Sequence, residues 1–224
     1  GDPAAAYAVI AEHGQTAIEA LADAEFLAGF IALRSLRDPA KAERHFQALN
    51  QASQSAITQG RVHYWLGRVA DAMGRDPTAD YRRSAAWTTT FYGQMSAVTL
   101  GDDPAALATR VSLPRDPEWD QAMISAFVGH ELVRAAALLV GWGEAPRARP
   151  FLLRMDERAG GMAERSLTAA LAIRLGLPDS AVFVARRIGR DGGMLPQAGW
   201  PAPFEPPSDF DGSFALGIMR QESS

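Results

Sequence analysis

"FLAGFIALRSLRDPAKAERHFQAL" (26–49) and "YWLGRVADAMGRDPTADYRRSA" (64–85) share one form. In each, an aromatic lies near a glycine, a helix-forming run follows, Asp-Pro breaks it, and a second run opens with alanine at its inner positions. Gly29 and Gly67 are 38 residues apart, and Ala42 and Ala79 are 37 apart. A repeat of that length, with small residues where helices touch, is what stacked helix pairs require.

The rest of the chain to about residue 190 has the same texture. Ala-, Leu-, Arg- and Glu-rich runs alternate with breakers: Gly14, Gly60, "GDDP" (101–104), "LPRDP" (113–117) and "GWGEAP" (141–146). Asp-Pro recurs at 38–39, 76–77, 103–104 and 116–117. That pair suits an N-cap acid followed by a proline at the first helical position, where its missing N–H costs nothing. Alternating strand patterns are absent. The expectation is an all-α chain: a superhelical α-solenoid of antiparallel helix pairs, tetratricopeptide-like, with more than ten helices. Later helices are expected at 117–141, 147–159, 162–175 and 179–190.

From 191 to 212 the pattern changes. "DGGMLPQAGWPAPFEPPSDFDG" carries five prolines and four glycines, so no helix can persist. Its Met194, Leu195, Trp200, Phe204 and Phe210 make it too apolar for a free linker. The reading is an extended segment pinned to helices by its aromatics, with a new helix opening near Asp211 or Ser213. The domain organisation is therefore a superhelical part at 1–190, a connector at 191–212 and a further element at 213–224.

Composition sets the outer limits. Of 224 residues, 47% are hydrophobic and 21% charged, as expected of a folded protein. A net charge of −4 and a pI near 5.6 leave no electrostatic footprint for nucleic acid. No run of about eighteen apolar residues is present, so no membrane span is expected. Cysteine is absent, which excludes disulfides, thiolate nucleophiles and Cys-ligated zinc. "GHELVR" (129–134) starts like a zinc-protease helix, but Arg134 stands where the second histidine belongs. His13, His45 and His63 stand singly and read as packing or surface residues. Neither a cofactor nor a metal is expected. Tyr64, Trp65, Trp87, Phe91 and Tyr92 read as core at helical spacing.

The last stretch, "FALGIMRQESS" (214–224), poses a chemical question. At 100° per residue Phe214, Ala215, Leu216, Ile218 and Met219 share one broad arc, and Glu222 falls inside it. Desolvation against an apolar wall raises a carboxyl pKa, which is what a general acid near neutrality needs.

This run is similar to the helix that opens the catalytic domain of soluble lytic murein transglycosylases, whose Arg-Gln-Glu-Ser carries the catalytic glutamate. "YWLGRVADAMGR", "TTFYGQ" (89–94) and "GWPAPF" (199–204) resemble other parts of that family, in order, over roughly residues 24–224. The resemblance implies a periplasmic protein whose α-superhelix carries a lysozyme-like domain. It implies non-hydrolytic cleavage between N-acetylmuramic acid and N-acetylglucosamine, leaving a 1,6-anhydro end. Glu222 would be the general acid and then the base, and Ser223 the neighbour that orients it. The partners implied are peptidoglycan glycan strands, with cell-wall proteins as further candidates. The family's Gly-Leu-Met-Gln and tyrosine motifs are not found after Glu222, so this chain is expected to be an inactive scaffold cut inside its catalytic domain. The alternative is a helical adaptor that binds a peptide or protein and has no catalysis.

Overall fold

The computed structural model describes residues 1–202, 205 and 211–222, the last four by their backbone alone. Among the described residues there are thirteen helices and no strand, so the fold class is all-α. The chain forms two compact units, Gly1–Leu113 with Arg190–Gly192, and Pro114–Gly189 with Gly193–Ser224. The sequence reading did not draw that division.

The first unit holds α1 (Pro3–Ala11), α2 (Ile18–Arg34), α3 (Pro39–Ala52), α4 (Ala56–Ala72), α5 (Thr78–Ala85), α6 (Phe91–Thr99) and α7 (Pro104–Ser112). Each helix packs on the next, and α4 also packs on α2 and α6. The links are short, so consecutive helices fold back on one another. α4 is the hub, with eleven buried residues from Ala56 to Ala70. They cover most of its circumference, leaving exposed Ile57 and half-buried Arg61 and Arg68 on one side, so the helix sits at the centre of this unit's core.

Asp-Pro does much of the punctuation. Asp38 accepts the Lys41 N–H at 3.0 Å, and Asp103 accepts that of Ala106 at 2.8 Å, each with proline as the first helical residue. Asp2 caps α1 in the same way. Such a cap contributes about 1 kcal/mol. Asp116-Pro117 departs from the pattern. It opens no helix, and α8 begins later, capped by Asp120.

The repeat proves to be a ring on a glycine. A Cβ built on Gly29 would lie 2.7 Å from the Phe46 ring, and one on Gly67 would lie 2.6 Å from the Tyr81 ring. Both rings are buried. The alanine equivalence fails: Ala42 is buried but Ala79 is exposed. Ala42 precedes Phe46 by four residues and shares its face, whereas Ala79 precedes Tyr81 by two and points away.

The second unit holds α8 (Gln121–Gly129), α9 (Glu131–Gly141), α10 (Ala145–Arg158), α11 (Met162–Arg174), most of α12 (Pro178–Arg190) and α13 (Gly212–Glu222). Its core joins Leu152 of α10, Ala169 and Ala172 of α11, and Val184 and Ile188 of α12. Leu195 and Ala198 of the Pro/Gly-rich segment complete it. The expected helix at 117–141 is two helices bent by 69° at His130, whose extended backbone ends α8 and starts α9.

Asp116 explains how the Pro/Gly-rich segment is held. Its carboxylate accepts the backbone N–H groups of Gln197 and Ala198 at 3.0 and 2.8 Å, and its own N–H donates to Gln197 Oε1. The segment is thus fastened by a carboxylate clasp and two small buried aliphatics. Of the expected aromatic pins, Trp200 keeps 48% of its surface exposed, and Phe204 and Phe210 lie outside the described residues.

Candidate functional site

Glu222 is the last residue of α13, and its side chain and all of Ser223 lie outside the described residues. What α13 does show is its approach. Asp211 accepts the N–H groups of Ser213 and Phe214 at 3.0 and 3.1 Å, fixing the helix start. Phe214 and Ile218, at i and i+4 on the predicted apolar arc, are 59% and 48% exposed.

The broken zinc motif has a structural explanation. His130 is an N-cap: its Nδ1 accepts the Leu132 N–H at 3.2 Å. Glu131 follows in the first turn, where the helix dipole favours an acid. Among the described residues no group of three or more acids and histidines is arranged to hold a metal ion.

Two other histidines are brought together. Glu25 of α2 receives His45 Nδ1 of α3 at 2.7 Å on one carboxylate oxygen and His13 Nε2 at 3.3 Å on the other. The Tyr7 hydroxyl of α1 meets His45 Nε2 at 2.9 Å. His13 Nδ1 accepts the Gln15 N–H, so the His13 proton sits on Nε2 and is donated to Glu25. The chain of donors and acceptors looks like a proton relay, but both nitrogens of each ring are already engaged. Its work is mechanical: α1 buries no residue, and Tyr7 ties it to α2 and α3. His63 likewise meets Asp80 at 3.1 Å.

Of the aromatics expected as core, two are buried, Trp87 and Tyr92 are half-buried, and Tyr92 packs against the first unit's core. Tyr64 and Trp65 are buried, and Trp65 stacks on Phe46 with ring centres 6.0 Å apart. Tyr81 donates to Asp71 Oδ2 at 2.7 Å, and burial, then that bond, pushes its hydroxyl pKa up, so it remains a donor. Phe91 is the exception, 70% exposed at the start of α6. Within "TTFYGQ", Thr90 Oγ1 accepts the Gly93 N–H at 3.0 Å. A Cβ on Gly93 would collide with the Trp87 carbonyl, and one on Gly60 would lie 2.6 Å from Thr90 Oγ1. The motif is the close joint between α4 and α6.

The second unit contains a cleft that the sequence did not disclose. It has a volume of about 490 Å³ and lies between α8, α9, α10 and α11. Met155 and Leu167 form a buried floor, and half-buried Met123, Phe127 and Leu132 form its walls. His130, Arg158 and Glu164 stand at the exposed rim. The available signal was α8 itself, "QAMISAFVG", which has no charged residue and buries none. Which four helices meet there is not a property of any one segment.

No protein-family model, curated protein or solved structure matches the chain.

No single helix among the described residues is long and apolar enough to cross a membrane. α8 and α9 together have the length and composition, but bend sharply between them. The second unit also contains a buried charge cluster. Asp156 is fully buried, with Arg165 Nε at 2.7 Å from one oxygen and Arg187 Nη1 at 3.2 Å from the other. The Arg187 contact lacks hydrogen-bond alignment, so charge attraction rather than a directed bond holds it.

Proposed function

We propose that this chain is the superhelical portion of a peptidoglycan lytic transglycosylase. Residues 1–190 are the superhelix, 191–212 the connector, and 213–224 the opening of a lysozyme-like domain. The observation that carries the reading is the Arg-Gln-Glu-Ser run, whose first three residues end a helix that follows a Pro/Gly-rich segment fastened to a helical unit. Packing of each helix of the first unit on the next, with a glycine–ring joint at 29/46 and again at 67/81, suits a tetratricopeptide-like solenoid. The placement of "TTFYGQ" at a close helix joint gives that motif a physical reason to recur in such folds.

In this reading Glu222 protonates the glycosidic oxygen as the bond between N-acetylmuramic acid and N-acetylglucosamine breaks. The carboxylate then takes the proton of the muramic C6 hydroxyl, whose oxygen closes the anhydro ring at C1. Ser223 orients the carboxyl. The site is periplasmic and its substrate is the glycan strand. One group serves both steps, so no second carboxylate is needed, unlike ordinary glycosidases.

The test is a chain extended through a complete lysozyme-like domain after α13. It should release anhydro-muropeptides from peptidoglycan, and the 224-residue chain should not. Glu222→Gln in the extended chain should cost several orders of magnitude, since each proton transfer contributes roughly 10²–10⁴-fold. Near-normal turnover in that variant would overturn the assignment.

One feature favours the alternative, a helical adaptor for a peptide or protein. Phe91, Met95 and Val98 form an exposed apolar stripe on α6, at i, i+4 and i+7. Peptide capture by the extended chain without any glycan cleavage would support it.

A further inference from the structure

The cleft between α8, α9, α10 and α11 has no part in the transglycosylase reading, and its chemistry is one-sided. Floor and walls present only carbon and thioether groups, from Met155, Leu167, Met123, Phe127 and Leu132. Its volume of about 490 Å³ falls within the roughly 300–1,000 Å³ of small-molecule sites. α8 leaves its apolar side chains only half covered, and methionines repack readily around a guest.

The polar rim narrows the choice of ligand. One oxygen of Glu164 is occupied by the Gly160 N–H at 2.7 Å. His130 Nδ1 accepts a backbone N–H, so the ring proton sits on Nε2, which is a donor. No carboxylate of the described residues pairs with Arg158, leaving its five N–H donors for solvent or a ligand. Two donors, one permanently cationic, call for an anionic acceptor. A planar carboxylate matches the guanidinium fork, and the neighbouring Glu164 charge disfavours a doubly charged phosphate. The geometry points to a binding site for a carboxylate carried on an apolar body. A fatty acid and a short apolar peptide with a free C-terminus both have that chemistry.

Calorimetric titration of the full chain tests this with four probes: octanoate, N-acetyl-Leu-Leu, and their neutral counterparts octanol and N-acetyl-Leu-Leu amide. At least one carboxylate should bind saturably with one site, and the tighter of the two identifies the source. Arg158→Gln, an exposed change whose folding is checked by circular dichroism, should weaken the carboxylate probes about tenfold or more. It should leave the neutral probes unchanged, whereas Phe127→Ala should weaken all that bind. Absence of saturable binding by both carboxylates at millimolar concentration would overturn the proposal. So would an Arg158→Gln effect that is nil, or equal for charged and neutral probes. None of these readouts depends on glycan cleavage, so this site and the transglycosylase reading fail separately.

Discussion

Replacing Gly29 with alanine should change sign depending on the residue at position 46. The added Cβ would lie 2.7, 2.9 and 3.0 Å from Cε1, Cζ and Cδ1 of Phe46. That ring is fully buried and boxed in by Phe26 and Trp65, with ring centres at 6.4 and 6.0 Å, so it has nowhere to retreat. Overpacking of this kind costs roughly 1–3 kcal/mol. Alanine recovers about 1 kcal/mol of helix propensity over glycine inside α2. The net expectation is a destabilisation of about 1 kcal/mol. Phe46→Leu removes Cε1 and Cζ, the two nearest atoms, and by itself should cost less than the roughly 3–5 kcal/mol of a Phe→Ala change. In that background the propensity gain remains and most of the clash is gone, so Gly29→Ala should stabilise by about 0.5–1 kcal/mol. Urea unfolding of the four proteins, followed by far-UV circular dichroism, closes the cycle provided the m-values agree. If Gly29→Ala stabilises the wild-type chain, or if its effect is the same in both backgrounds, the glycine–ring joint is not what holds α2 against α3.

Two further changes probe charge. Asp156→Asn leaves Arg165 and Arg187 facing each other without their shared anion. Breaking a buried pair typically costs about 3–5 kcal/mol, and the partial exposure of both guanidinium groups places the loss near the lower end. Denaturant midpoints should fall accordingly, and an unchanged midpoint would show that the cluster contributes nothing net. Asp102 receives Arg110 Nε and Nη2 at 2.5 and 3.0 Å, and this pairing holds its carboxyl below the ordinary 3.8. A depressed carboxyl pKa stabilises the fold above the unfolded value and loses that contribution as pH falls through the folded one. The Asp102 contribution should thus be intact down to about 3.8 and disappear below it. A carboxyl titration by NMR should show the midpoint return toward 3.8 in Arg110→Gln, and no movement would remove Arg110 as the cause.

Much of the fold was legible because helices are local objects. Asp38, Asp103 and their prolines set helix starts through groups within three residues, so spacing alone located them. The glycines at 29 and 67 were legible as contact points, since a missing side chain inside a helix needs a reason. What they contact was not. The partner rings, Phe46 and Tyr81, lie 17 and 14 residues away on other helices, and matching alanine to alanine chose the wrong pair because facing direction depends on where each helix begins.

Tertiary structure decided the rest wherever a side chain had to choose between near and distant partners. Asp116 sits in the same Asp-Pro pair as the true caps, yet its carboxylate serves backbone groups 81 and 82 residues away. His130 resembles a metal ligand in sequence and is a helix cap in the fold. The cleft exists only because α8, α9, α10 and α11 converge without filling the space between them, and no periodicity along the chain encodes a void. Sequence by itself determined the all-α class and most helix starts, while the break at His130 was not legible in it. Folding determined which of the charged and aromatic residues are consumed in holding helices together, since each such contact joins segments that sequence spacing leaves independent.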